Sequence, residues 1–380
     1  MPISLLLTAM LVSASTVSGD AALSDPATLI PPEYAPGFPV ADPELDALPG
    51  FVAPPPGYGE VPFWWWTGDP LDKERLLWQL DQLHAVGIPG VQINYAHDPS
   101  MTTYPVEPPI FSEKWWEFWR WMTEECAKRG MGIGMSGYTI DWPGRDNLFY
   151  QLGITDGAMR GANLECTSER AEGGKAVAWD VPGRTILLRA YRREMRSIAL
   201  DSAVDLTGFV RDGKLAWTPP EGRWLLVAVH VNSPERSLDP LNPGSGQLVI
   251  DRFFQPFADR CAPGAEHALN YFFQDELNFG VSGWLWSDSF PQQFQEAKGY
   301  DLRPLLPALF FDAGPKTAKI RLDYSDLMVS LTEQNYFIPI FNWHWSRGIM
   351  YACDPGSRGK DPLEFGDYFR CVRWYCAPGH

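Results

Sequence analysis

The feature that most constrains this chain is a repeated unit of amphipathic helix, glycine and apolar strand. Asp69-Pro70-Leu71-Asp72 reads as an N-cap, an N1 proline and an acidic N3. Leu76, Leu77, Leu80 and Leu83 then share one helical face, Gly87 closes the helix, and Val91–Tyr95 follows as a strand. A second unit runs from Ser112 through Trp115, Trp119 and Met122 to Gly130, and into strand Met131–Ser136. A third pairs a helix over Asp323–Arg347 with Gly348 and strand Ile349–Ala352. Val61–Trp66 reads as the first strand and Leu269–Phe273 as the fourth. Alternation of this kind predicts parallel strands joined by right-handed crossovers, in an α/β fold of the (β/α)8 TIM-barrel type.

Between the third and fourth strands the pattern changes. Residues 155–235 hold short β runs at Ala176–Trp179, Thr185–Arg192, Leu215–Trp217 and Trp224–Val231. Asp212-Gly213 is a hairpin signal, and Pro219-Pro220-Glu221-Gly222 marks another turn. The segment reads as an antiparallel β insertion in a βα loop, on the face where barrels keep their sites. Barrel segments are therefore expected at 61–154 and 236–380. Counting strands gives five or six rather than eight, and a barrel with strands missing leaves backbone groups unpaired. The barrel is expected to be incomplete at the C-terminus, and the chain to be a piece of a longer protein.

The formal net charge of -16 makes DNA and RNA poor partners. Residues 1–19, apolar over Ile3–Val12 and then rich in small residues, resemble a secretory signal, so a secreted or periplasmic location is expected. They turn polar too soon to span a membrane, and no later stretch qualifies. A proline-rich leader follows over residues 20–60. The 6 cysteines are scattered, without zinc-type spacing, and Cys371–Cys376 is the local pair.

Catalytic groups of parallel barrels sit where strands end. The run Ala268 to Glu276 is an apolar strand that stops in Asp275 and Glu276, with Trp284, Trp286 and Phe290 just beyond. A carboxyl among Phe272, Phe273 and Phe279 has its pKa raised and suits proton donation to a departing sugar oxygen. Adjacent strand residues point to opposite faces, so one of Asp275 and Glu276 faces the barrel axis; Glu276 is chosen. Asp354 ends the later strand and is the candidate base, although Asp-Pro-Gly is also an ordinary turn. Asp361, Glu364 and Asp367 in the next loop are alternatives. His97 and Asp98 close the second strand, and Tyr138, Asp141 and Trp142 the third, as candidate contacts for sugar hydroxyls. Strand alternation turns either Trp65 or the pair Trp64 and Trp66 inward, and Trp66, nearest the strand end, is the candidate sugar platform. Each of these has a plainer alternative as a core aromatic or a solvated loop acid.

Gly132-Ile133-Gly134-Met135-Ser136-Gly137 fits the dinucleotide pattern G-x-G-x-x-G, but it lies within a strand and Pro143 follows soon after. The helix start that such a site requires is missing from the pattern.

Taken together, several segments resemble the α-L-rhamnosidases of glycoside hydrolase family 106. They are Val61–Trp66 with Gly87–Ile93, Gly222-Arg223-Trp224-Leu225-Leu226, Phe290–Leu309 with its Gly299–Leu309 core, and Glu333-Gln334-Asn335-Tyr336. The resemblance covers residues 60–375, the N-terminal catalytic part of a family of longer proteins. It implies cleavage of terminal α-L-rhamnosyl residues with inversion, Glu276 as the catalytic acid, and a bound calcium ion contacting sugar hydroxyls, for which Asp141 could supply an oxygen. The chain departs from the family in having Phe273-Gln274-Asp275-Glu276 before the acid, and Cys353-Asp354 where a glutamate is expected. The second reading that follows is a carbohydrate-binding protein, or an inactive fragment, that keeps an aromatic cleft without a working base.

Overall fold

The computed structural model describes residues 52, 59–66, 70–94, 107–137, 157–195, 197–235, 237–277, 279–355, 374 and 377–378. Six parallel strands make the main sheet, in the order β1 (Phe63–Trp65), β2 (Gly90–Asn94), β3 (Gly132–Ser136), β11 (Leu269–Leu277), β13 (Met350–Pro355) and β14 (Ala377–Pro378). The expected barrel has eight strands; among the described residues the parallel sheet has six.

Helices cross between these strands as the repeat predicts. α1 (Lys73–Ala85) is capped by Asp72 rather than Asp69: Asp72 is extended and its side chain accepts from the Arg75 amide at 2.9 Å. α2 (Glu113–Lys128) starts at the expected Ser112, whose hydroxyl accepts from the Trp115 amide at 3.2 Å. The helix expected over Asp323–Arg347 is present as one continuous run over 317–345, made of α5 (Thr317–Thr332), a π turn (Glu333–Phe337) and α6 (Ile338–Trp345). Pro339 has no N–H to give to the Asn335 carbonyl, and that carbonyl accepts from the Ser245 hydroxyl at 3.1 Å instead. Gly87, Gly130 and Gly348 each follow a helix with positive φ, as their positions predicted.

The parallel sheet is strongly curled. β1 and β11 are separated by two strands, a path of roughly 14 Å across a flat sheet. Yet the rings of Phe63 and Phe273 lie 5.7 Å apart, which requires both to project from a concave face. On the convex face Phe272 and Tyr351 meet Phe254 and His344, with Phe254 and Phe272 centroids 5.0 Å apart. Phe254 lies in a π turn between α3 (Ser245–Val249) and α4 (Gln255–Asp259). Trp119 adds a long-range tie, its indole donating to the Phe257 carbonyl at 3.0 Å.

Between β3 and β11 in the chain lies an antiparallel region. β4 (Asn163–Glu172), β6 (Thr185–Glu194), β7 (Ser197–Asp205), β10 (Arg223–Asn232) and β12 (Trp284–Leu285) form a five-stranded sheet in the order β12-β4-β10-β6-β7. β5 (Val177–Asp180), β8 (Val210–Arg211) and β9 (Lys214–Trp217) form a three-stranded sheet that covers it. Asp212 and Gly213 both have positive φ, the backbone that a tight hairpin between β8 and β9 needs. Leu188, Ala190, Leu226 and Trp224 pack against Leu215 and Trp217 in a separate small core. The opposite face of β10, with Leu225, Val227 and Val229, joins the large core beside the parallel sheet. Strand β12 and a hydrogen bond from Ile198 N to Asp312 O, at 2.9 Å, tie the two regions together.

Candidate active site

Because the six strands are parallel, their C-terminal ends share one rim. The rim holds Trp66, Asn94, Ser136, the stretch Gln274–Leu277 and the stretch Cys353–Pro355. β11 and β13 are neighbours, with Gln274 opposite Cys353 and Leu277 opposite Pro355. Asp275 and Glu276 therefore stand against the single residue Asp354, and the register shifts there. Residues nearly eighty positions apart in sequence are thus brought to one point of the rim. Strict alternation from Phe273 would assign Asp275 to the concave side, but a bulge suspends alternation across Asp275 and Glu276.

Of the three consecutive tryptophans, Trp65 is 48 % exposed and Trp66 only 3 % exposed. Trp66 packs edge-on against Trp64 at 5.3 Å, and its backbone N–H donates to the Asn94 carbonyl at 2.9 Å. Trp65 and Phe63 sit together on the concave face, 6.3 Å between centroids. His97, Asp98, Tyr138, Asp141 and Trp142 lie outside the described residues, as do Asp361, Glu364, Asp367 and the Cys371–Cys376 pair.

Two polar residues beneath the rim were read in sequence simply as parts of a strand. Gln92 and Asn94 alternate onto the concave face with Phe63 and Trp65, and both are buried. The Gln92 amide nitrogen donates to Asn94 Oδ1 at 3.2 Å. Gln92 Oε1 and Asn94 Nδ2 have no hydrogen-bond partner among the described residues. One acceptor and one donor are left side by side at the base of the aromatic face, a pairing that suits a hydroxyl group.

A second hollow, of about 420 Å³, adjoins the loop that follows β11. Asp239, Trp286, Arg160, Arg184, Ser233 and Asp288 line it. Its walls are fixed by backbone hydrogen bonds: Leu238 N to Phe279 O at 2.9 Å, Asp239 N to Met159 O at 2.8 Å, and Trp286 N to Ala162 O at 2.8 Å. Burial raises the Asp239 carboxyl to about 6, against the smaller opposing effect of a hydrogen bond from the Leu241 amide. Only its position late in a turn-rich stretch, Leu238-Asp239-Pro240, could have drawn attention to it in sequence.

Comparison with known proteins places this geometry. A family model described as alpha-L-rhamnosidase matches residues 183–357, which include Glu276 and Asp354. The resemblance is to the α-L-rhamnosidase family, over part of the chain. A protein of Formosa agariphila provisionally named beta-glucuronidase is 19% identical, over 87% of this chain and 33% of its own length. The solved structure of the rhamnosidase from Novosphingobium sp. PP1Y superposes with a TM-score of 0.53 at 11% identity, covering 83% of this chain and 47% of that one. The chain thus spans about a third to a half of the proteins it matches. The fold is similar to that of the Novosphingobium enzyme, and the family resemblance, over residues 183–357, is to glycosidases.

Proposed function

We propose that this chain is the catalytic part of an exported glycoside hydrolase that removes terminal α-L-rhamnosyl residues, with inversion, from polysaccharides or glycosides. In this reading the curled parallel sheet belongs to a (β/α)8-type barrel. The register that sets Asp275 and Glu276 against Asp354 at the rim is the observation that carries it. Both positions fall inside the segment that matches the rhamnosidase family.

Glu276 holds a proton and delivers it to the glycosidic oxygen as the bond to the anomeric carbon breaks. Water attacks that carbon from the other face and gives its proton to Asp354. Inversion requires the two carboxyls to stand about 6.5–9.5 Å apart, to leave room for that water. The concave aromatic face supplies the sugar contact, and stacking needs an open ring, so the platform role passes from Trp66 to Trp65. His97, Asp98, Tyr138, Asp141 and Trp142 remain proposed contacts for sugar hydroxyls. Calcium rests on the family resemblance; among the described residues no three His, Cys, Asp or Glu side chains gather to hold a metal, and no step is routed through one. Export rests on the character of residues 1–19.

Release of a chromophore from an aryl α-L-rhamnoside tests the reading, with an aryl β-glucuronide as the second substrate because of the name of the Formosa relative. Glu276→Gln should lower kcat by about 10²–10⁴-fold, the usual contribution of a general acid. Asp275→Asn serves as its partner across the bulge: if that variant alone loses turnover, the acid is Asp275. An anomeric signal in the first product that matches the substrate's configuration would refute inversion.

A further inference from the structure

The hollow beside Asp239 and Trp286 has the chemistry of a binding site that the hydrolytic reading does not use. Trp286 is 6 % exposed, and its indole Nε1 has no hydrogen-bond partner among the described residues. Asp239 is 8 % exposed; its carboxylate accepts from the Leu241 amide at 2.9 Å and forms no ion pair among the described residues. A buried carboxylate without a cation is costly to keep, and such groups gather where a ligand completes them. Arg160 and Arg184 line the same hollow but stand beyond ion-pair distance of Asp239. With Asp239 and Asp288 they make two cations and two anions, so a charged ligand meets no net counter-charge. What remains is an interleaved set of donors and acceptors: two guanidinium groups, two carboxylates and the hydroxyls of Ser233 and Ser287, beside the Trp286 ring. The volume of about 420 Å³ is that of a small-molecule pocket.

We propose that this hollow is a second saccharide-binding site, taking one neutral sugar unit through the Asp239 carboxylate and the guanidinium groups of Arg160 and Arg184. Neighbouring hydroxyls of a pyranose ring donate to the Asp239 carboxylate, while others accept from the guanidinium groups. Trp286 and Asp288 in its wall follow β12, and Leu238 beside Asp239 is hydrogen-bonded to Phe279 in the segment after β11. The choice of a sugar over other polyols rests on the glycosidase reading; the existence of the site does not.

The full chain, labelled with ¹⁵N at tryptophan indoles, tests this by NMR. The indole signal missing from Trp286→Phe identifies the Nε1–H of Trp286. Titration with L-rhamnose, D-galactose and D-glucose in turn should shift that signal for at least one sugar, because Trp286 lines the hollow that the sugar fills. Asp239→Asn should weaken that binding at least tenfold, while its other indole signals report an intact fold. Glu276→Gln should lower kcat by about 10²–10⁴-fold and leave the shift in place, so the two readings fail separately. A Trp286 signal that stays still with all three sugars overturns the proposal, as does unchanged binding in Asp239→Asn.

Discussion

At the residue scale, two buried ionisable groups pull the pH dependence of stability in opposite directions. Asp239 has a folded pKa of about 6, above the ordinary value of 3.8, because burial disfavours its charge. The folded state therefore binds the extra proton between these values, and the stability this gives is full below pH 3.8 and gone above pH 6. Arg160, Arg184 and Asp288 face the same hollow. Asp239→Asn removes the buried charge, so its stability relative to the parent should rise by about 2–3 kcal/mol between pH 4 and pH 7. Urea titrations at the two pH values measure it, and a difference that does not grow with pH would mean the carboxyl titrates normally. His344 behaves inversely. It is fully buried, its Nδ1 lies 2.7 Å from the Ile340 carbonyl, its ring stacks on Tyr351, and burial lowers its pKa to about 3. The unfolded chain binds the proton first, so His344 costs stability as pH falls from 6.5 toward 3. His344→Gln should flatten the acid limb of the urea midpoint against pH; an unaltered limb would place the acid sensitivity elsewhere.

At the scale of elements, the glycines of the G-x-G-x-x-G look-alike have a packing role. A Cβ at Gly134 would lie 2.5 Å from the Tyr271 carbonyl oxygen and 2.8 Å from Tyr271 Cβ, and neither can move without shifting β11. Gly134→Ala should therefore destabilise the chain by about 1–3 kcal/mol, read as a lower urea midpoint with an unchanged m-value. Tolerance of alanine there would show that β3 and β11 can separate cheaply. The antiparallel region carries its own core, in which Leu226 is fully buried between Leu215 and Ala190. Leu226→Ala should cost about 2–5 kcal/mol. If hydrogen exchange shows β9 and β10 losing protection while β3 and β11 keep theirs, the two cores open separately.

For the whole molecule, a net charge of -16 means that carboxylates repel one another across the surface. The ion pairs among the described residues, such as Arg129 with Asp81 at 2.7 Å, are partly exposed and worth little each. Raising NaCl from low to physiological ionic strength should raise Tm by a few degrees, since screening relieves the repulsion more than it weakens these pairs. A falling Tm would show that attraction dominates.

How much of this was written in the sequence differs between the frame and the site. Helix faces, the Ser112 cap, the glycine stops and the Asp212-Gly213 hairpin rest on local rules of spacing and backbone freedom, and the structure follows them. Strands β4 and β7 escaped because their outer positions are charged or small and their inner ones pack only once β10 and β6 lie alongside. The π turn that precedes Pro339 in the long helix leaves the Asn335 carbonyl to a partner, Ser245, far away in sequence. Trp66 seemed the natural platform from its place at a strand end, but exposure is settled by the curl of the whole sheet, which covers Trp66 and opens Trp65. Gln92 with Asn94, and Asp239 with Trp286, carry no signature by themselves; burial and isolation from partners give them meaning. Sequence alone determined the repeating helix–glycine–strand units and the Asp212-Gly213 hairpin, because periodicity, capping and turn chemistry act over a few residues. Only the tertiary structure decided which strand ends stand side by side, since the pairing of β11 with β13 and its register shift arise from contacts between residues far apart along the chain.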